Sequence, residues 1–600
     1  MHALDFAVVG TYFALVLVLG RWAAKGTRNQ ESFFLADRKF GKLRQFFFNF
    51  GNTTDANTAV STVSFVYREG ASGAWFPLQM LFLNPYYWFM NVWFRRVRLI
   101  TTAELFDERL ESPGLAWCYA LFQIGVTVLN IGFSNFVVFK IAVAVMPELS
   151  PLAFYLGYVS VITLYLAMGG LMATVLNQMF QGFLVLIFSV MLLPVGWRAL
   201  GSGGALHERL APSRFDLVGA PGGDQLTWYA VAALLLVSLI QINGNLVNMG
   251  LGGSARNEFA ARFGAAAGTF GKRIMIVVWA IVGLMAAALC RGPSRLADPD
   301  LAWGVLSREL LGPGFLGLML AGVLAANMAS TASKTMAVSA LCVRTLCRPF
   351  AARMGEAGAV AAGRWAVGIS LAGSVGAALG MVKMLTAVKL ILTVNLPFGA
   401  AVFLMFFWRR LTRTAVWWCV VVSNLLILIL PFGVQLVPAL ARRDPQFFDA
   451  VVPQVSGDHL SQLVGTGRFN LEAWTLRRWG VPISGAGPSE LLALQFFLDS
   501  AIPFLLLIGV SLLTQPPAPS TVNRFFGIMK TPIGTTPELE AAAVAETRRD
   551  PGRFDHQKLF PNSNWEFTRW DRTDAVGFVL CTAIAGAILG GFWLILRWLR

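Results

Sequence analysis

The chain has 600 residues, 56% of them hydrophobic and only 13% charged, with a mean hydropathy of +0.62. That balance excludes a string of soluble domains and indicates a polytopic all-α membrane protein whose first partner is the lipid bilayer. The formal net charge of +16 sits in particular loops between apolar runs, as the positive-inside rule expects, so nucleic acid is not implied.

Apolar runs predict about fourteen transmembrane spans, near 4–22, 45–67, 74–94, 116–146, 151–168, 171–197, 227–250, 273–291, 313–344, 361–380, 384–408, 414–437, 490–514 and 574–597. The first run carries Asp5 and lacks a basic leader, so it reads as a retained span, not a cleaved signal peptide. The loop after it is strongly basic. Arg95, Arg96 and Arg98 follow the third run; Arg256, Arg262, Lys272 and Arg273 the seventh; Arg344 and Arg348 the ninth; Arg409, Arg410 and Arg413 the eleventh. Every second loop is basic, which predicts an even span count with both termini extracytoplasmic in the cell membrane. The expected organisation is therefore an N-terminal span with a basic loop (1–44), five spans (45–197), an outer loop (198–226), five more spans (227–410), an accessory span (411–437), an extracytoplasmic insert (438–489), a second accessory span (490–514), a cytoplasmic linker (515–573) and a last span (574–600). Within the linker, the run PELEAAAVAE is expected to form a short amphipathic helix. Gly586 and Gly590 of the last span permit close helix packing, so monomer and homodimer both stay open.

Two of these runs are not uniformly apolar. The second carries Gly51-Asn52-Thr53-Thr54-Asp55-Ala56-Asn57-Thr58 at its centre. Irregular backbone survives at membrane depth only where it lines a cavity, and a carboxylate there is expensive, so Asp55 is a candidate functional residue. The competing reading is that Asp55 merely caps a helix. Five spans later the seventh run is interrupted by Gln241-Ile242-Asn243-Gly244-Asn245. Paired interruptions at corresponding positions indicate a five-plus-five inverted repeat with its site at the midplane. An unwound helix offers carbonyls to a cation and half-helix N-termini offer N–H groups to a polar solute. Asp55, Asn57, Asn243 and Asn245 are the expected solute contacts, with Asn395, just before Pro397, a further one. The ninth run adds Leu324-Ala325-Ala326-Asn327-Met328-Ala329-Ser330-Thr331, whose small residues allow close helix approach and whose hydroxyls are oxygen ligands.

Six Cys lie in or at the ends of apolar runs without a CxxC pair, and all four His lie outside those runs. Neither a disulfide framework nor a transition-metal site is expected, nor catalytic residues or a cofactor of an integral-membrane enzyme.

In order along the chain, Phe33-Phe34-Leu35-Ala36-Asp37-Arg38, Gly169-Gly170 with Asn177-Gln178 and Gln181, Asn248-Met249 with Ala261-Arg262, and Ala325-Ala326-Asn327-Met328-Ala329-Ser330 resemble motifs of the sodium:solute symporter family. The resemblance implies a LeuT-type inverted repeat with flanking helices and sodium-coupled symport of a small solute by alternating access. Residue by residue it implies a sodium site from the carbonyls of Thr53, Ala56 and Ala326 with the positions of Ala329 and Ser330, where the family has two hydroxyls. Here Ala329 lacks one. The family's Thr-Asp is Asn177-Gln178 and its Gln-Arg is Asn248-Met249. Lys334, one turn beyond Ser330, adds an ammonium with three readings: it snorkels to the cytoplasm, it pairs with Asp55 as a tethered cation, or it contacts an anionic substrate. A sodium-independent carrier, proton-coupled or facilitative, is accordingly the alternative, and a transporter-fold sensor a further one.

Overall fold

The computed structural model describes residues 1–25, 29–201, 205–220, 225–290, 296, 298–380, 393–433, 471–480 and 488–600. The expected insert 438–489 lies mostly outside the described residues, as do 384–392 of the eleventh expected span and 434–437 of the twelfth. The described residues are helical, with only isolated bridges such as Phe40 to Ala255.

The elements used below are α1 (Ala3–Ala24), α2 (Lys42–Thr53), α3 (Ala56–Glu69), α4 (Asn84–Arg96), α5 (Pro113–Val145), α6 (Pro151–Leu200), α7 (Trp228–Asn243), α8 (Asn248–Gly253), α9 (Glu258–Leu289), α10 (Phe315–Leu341), α11 (Ala351–Leu379), α12 (Leu396–Phe407), α13 (Arg413–Asn424), α14 (Pro488–Leu513), α15 (Pro519–Lys530), α16 (Pro537–Arg549) and α17 (Arg572–Leu599). Their starts follow local chemistry. Ser112 caps α5 ahead of Pro113, Asn257 caps α9 through Ala260 N–H, and Asp571 and Asp574 form a reciprocal capping box on α17.

Seven described helices are long and apolar enough to cross a bilayer: α1, α5, α6, α9, α10 with its extension to Leu346, Ser489–Leu513, and α17. Fourteen spans are not reached by this criterion. Two expected spans are broken helices, the fifth and sixth are joined in α6, and α12 is short. The backbone of α6 departs from helical geometry at Gly170 (φ 56°, ψ −141°). Only glycine takes that conformation without strain, and a Cβ there would also lie 2.6 Å from the Phe33 carbonyl oxygen.

Bundle packing is layered by polarity. α10 is buried along nearly its whole length and packs on α1, α2, α5, α6 and α11. By contrast α1 exposes Leu4, Phe6, Leu15 and Val18, and α17 exposes Val576, Val579, Leu580 and Trp598. Such contiguous apolar exposure suits lipid, not water. The chain is a multi-pass membrane protein.

One sequence expectation is corrected here. Lys272 and Arg273 are not in a basic loop before an eighth span at 273–291. The cap at Asn257 starts α9 at Glu258, which places both residues in mid-helix. Small residues at 264, 268 and 271 let α9 lie directly on α2, where a Cβ on Gly264 would meet Gln45 and one on Gly268 would meet Asn49.

The linker beyond α14 folds back against the end of the bundle that carries the basic loops. PELEAAAVAE does form a helix, α16, and Glu540 on it receives hydrogen bonds from Arg95 at 3.2 Å and Arg98 at 2.8 Å. Glu258 at the start of α9 takes Arg96 at 2.7 Å and the Ile533 N–H at 3.0 Å. Lys530 pairs with the buried Glu566 at 2.7 Å.

Candidate functional site

The expected interruption of the second span is present. α2 ends at Thr53, the backbone leaves helical geometry at Thr54 (φ −101°, ψ 85°) and Asp55 (φ −105°, ψ 159°), and α3 begins at Ala56. The last carbonyls of α2 therefore have no helical partners, while the first N–H groups of α3 point into the gap. Asp55 caps α3: one carboxylate oxygen accepts from the Thr58 N–H at 2.9 Å and the Thr58 hydroxyl at 2.5 Å. Its other oxygen lies 3.8 Å from the Lys334 ammonium. Lys334 also donates to Asn130 Oδ1 of α5 at 2.8 Å. Asp55 thus both caps a helix and holds a charge partner across the gap.

α10 brings the hydroxyl-rich strip of the ninth run against this gap. Ser330 and Thr331 are fully buried, and neither hydroxyl has a hydrogen-bond partner among the described residues. Asn52 Oδ1, Thr54 Oγ1 and Asn57 Oδ1, at the break itself, are also buried without partners among the described residues. Unpaired buried oxygens are costly unless something binds them. The Ala329 carbonyl is different. Gln178 of α6 donates to it at 2.8 Å and to the Ser333 hydroxyl at 2.8 Å. The Gln178 amide is therefore a donor from α6 to α10. Thr53 is the last residue of α2, and Ala326 lies on the buried face of α10, one turn before Ser330.

The second interruption is present too. α7 ends at Asn243, and α8 starts at Asn248. The Gly244 carbonyl accepts from the Tyr119 hydroxyl at 2.9 Å and from Gln123 at 3.2 Å. Gln123 also donates to Asn395 Oδ1 at 2.7 Å, which draws Asn395 to this break. Asn243 accepts from the Tyr86 hydroxyl and donates to the Leu239 carbonyl at 2.7 Å. Asn245 Oδ1 accepts from the Val247 N–H at 3.3 Å and closes the turn. Asn243, Asn245 and Asn395 are thus bonded within the second break, and no hydrogen bond links them to Asp55 among the described residues. A cavity of about 20 Å³ lies between Phe48, Leu246, Val247 and Ser333.

Both ends of the bundle are charged. Beyond α3, Asp300 accepts from the Ser64 hydroxyl at 2.6 Å, pairs with Arg68 at 3.4 Å, and lies 3.6 Å from Lys140, which reaches Asp298 at 2.8 Å. At the opposite end a cavity of about 460 Å³ is lined by Gln30, Glu104, Asp107, Arg344, Arg348 and Glu356.

Sequence reasoning missed Asn130, Gln123, Tyr86 and Lys272. Lys272 was legible in part, because the cap Asn257-Glu258 and the small-residue series after it mark a helix that starts well before 273. The other three are single polar residues in long apolar runs, which sequence alone does not pair.

Two interrupted helices in an all-helical membrane bundle are the pattern that points to a transporter fold. The sodium:solute symporter family matches residues 33–422, and the chain belongs to it. Among solved structures it is similar to a Na⁺-coupled sialic acid symporter in a substrate-bound outward-open state, at 14% identity and a TM-score of 0.65, covering 86% of this chain and 98% of that one. Weaker likenesses are to Mhp1, a nucleobase-cation-symport-1 family transporter (12% identity, TM-score 0.47, covering 82% and 97%), and to MhsT in complex with L-phenylalanine (14%, 0.35, 78% and 98%). No curated protein matches the chain.

Proposed function

We propose that this protein is a secondary active transporter in the cell membrane that moves a small polar organic solute together with sodium by alternating access. The observation that carries the reading is the unpartnered, fully buried Ser330 hydroxyl on α10, the helix that packs on both halves of the first broken helix. Hard cations take carbonyl and hydroxyl oxygens, and the end of α2 together with Ser330 supplies both. Thr53, Ala56, Ala326 and Ser330 are the proposed sodium ligands, and Ala329 leaves one position of the set without a side-chain oxygen. One sodium ion entering at 100 mV contributes about 2.3 kcal/mol from voltage alone. The solute is proposed to bind between the two breaks, near Asp55 and Asn57 on one side and Asn243, Asn245 and Asn395 on the other. The latter three would exchange their present internal hydrogen bonds for solute contacts.

A second reading rests on a separate observation. The Lys334 ammonium stands beside Asp55, and Gln178 occupies the Ala329 carbonyl. A tethered cation at this place replaces the coupling ion, which gives a sodium-independent carrier of the same fold.

The experiment that separates them is thermal unfolding of the purified protein, titrating sodium against potassium and choline at fixed ionic strength. A ligand that binds only the native state stabilises it as RT ln(1 + [L]/Kd). Sodium-specific stabilisation that is lost in Ser330→Ala supports symport. Equal response to all three cations supports the sodium-independent carrier.

A further inference from the structure

We infer that the adjoining starts of α2 and α9 form a docking site for an anionic phospholipid, its headgroup between Lys42 and Arg256 and its acyl chains on Phe259 and Phe263. The two helix starts are held side by side. Phe40 forms a bridge with Ala255, and the Arg256 N–H donates to the Phe40 carbonyl at 2.9 Å. Lys42 opens α2, and its ammonium lies 4.5 Å from the centre of the Phe259 ring. Lys42 and Arg256 are both exposed. So are three apolar neighbours: Leu43 on α2, Phe259 on α9, and Phe263 one turn further on, whose ring stacks on that of Phe259 at 6.4 Å. Ile274 continues the same exposed face along α9.

Charge distinguishes this patch from the rest of its end of the bundle. There, Arg38 meets Glu31, Arg95 and Arg98 meet Glu540, Arg96 meets Glu258, and Arg262 meets Asp574. The carboxylate of Asp37, close in sequence, is taken by Lys39 at 3.0 Å. Lys42 and Arg256 have no ion pair among the described residues. Two unmatched cations above exposed phenyl rings, on a helix pair that faces lipid, fit an amphiphile with an anionic head. A phosphodiester accepts from both the ammonium and the guanidinium in charge-assisted hydrogen bonds, while the chains cover the rings. A zwitterionic head offers the same phosphate but carries its own cation, so it gains less. Because the head spans both helix starts, the lipid clasps α2, the first half of the first broken helix, against α9.

The test is thermal unfolding of the full chain in detergent with added dioleoyl phosphatidylglycerol, dioleoyl phosphatidylcholine or glycerol 3-phosphate, each at low and at high salt. A ligand of the native state raises the midpoint. Phosphatidylglycerol should raise it more than phosphatidylcholine, the difference should shrink at high salt, and glycerol 3-phosphate should not reproduce it. Lys42→Gln and Arg256→Gln should each weaken phosphatidylglycerol about fivefold, the effect of one charge near a lipid surface. Arg413→Gln, which removes an exposed cation at the start of α13, should leave that affinity unchanged. The headgroup comparison on the native chain needs no variant, so equal midpoints with the two lipids overturn the inference even where a variant folds poorly. Glycerol 3-phosphate acting as well as the lipid overturns it in favour of a free anion. Equal weakening by Arg413→Gln overturns it in favour of diffuse charge. A midpoint that follows protein concentration and not lipid identity overturns it in favour of a second copy on this face.

Discussion

At the level of single residues, the proposed ion site rests on the oxygens around the first break. Ser330→Ala removes an oxygen that makes no hydrogen bond among the described residues. A hydrogen-bond-strength contact to a charge is worth about 1.5–3 kcal/mol, so sodium stabilisation should weaken tenfold or more in the thermal titration, with little change in midpoint without sodium. Ala329→Ser tests the converse. It restores the hydroxyl that the family pattern has, on the helix face that Gln178 addresses, and should tighten the apparent sodium affinity in the same assay. An unchanged affinity in both variants would remove Ser330 and Ala329 from the ion site.

The elements are held by close backbone approaches at the breaks. A Cβ on Gly399 of α12 would lie 2.2 Å from the Ile240 carbonyl oxygen of α7, and one on Gly244 would lie 2.8 Å from Gly399 N. The helix before the second break therefore rests directly on α12. Gly399→Ala should destabilise the fold by about 1–3 kcal/mol, the range for overpacking, read as a lowered unfolding midpoint. A midpoint equal to the native one would mean that α7 and α12 separate freely. The ion cluster of Arg68, Lys140, Asp298 and Asp300 ties α3 and α5 to the segment before α10. Asp300→Asn should loosen that end and increase labelling of a Thr58→Cys probe by a membrane-impermeant thiol reagent applied from that side. Unchanged labelling would show that the cluster does not close the path.

Across the whole molecule, the linker fastens one end of the bundle. Glu540 links α16 to Arg95 and Arg98. Burial raises its carboxyl, but the hydrogen bonds and charges of Arg95 and Arg98 outweigh that and hold it below the ordinary glutamate value of 4.5. A depressed carboxyl contributes stability that is fully present above its unfolded-state pKa and lost as pH falls through the lower native value. The linker should therefore stay docked at pH 7 and become susceptible to limited proteolysis by an acid protease only below pH 4.5. Glu540→Gln should release it at neutral pH, and a linker as resistant as in the native chain would show that α15 and the pairing of Glu566 with Arg409 suffice.

Much of this organisation was written in local chemistry. Apolar length marks membrane spans, since no other solvent accommodates such runs. Gly, Asn and Asp inside them mark the breaks, because lipid tolerates no irregular backbone. Proline and capping residues mark helix starts. Both interruptions and the α16 helix were read this way, and the family motifs placed the ion-site candidates in chain order. What only the tertiary structure decided is which polar groups face each other. Asp55 meets Lys334, 279 residues later in the numbering, because α10 packs against the first broken helix. Gln178 meets Ala329 across two helices, Gln123 bridges the second break to Asn395, and Lys272 lies in mid-helix because α9 begins at Glu258. These pairings depend on relative helix rotation and depth, which long-range packing fixes and which a one-dimensional pattern of apolar and polar residues does not encode.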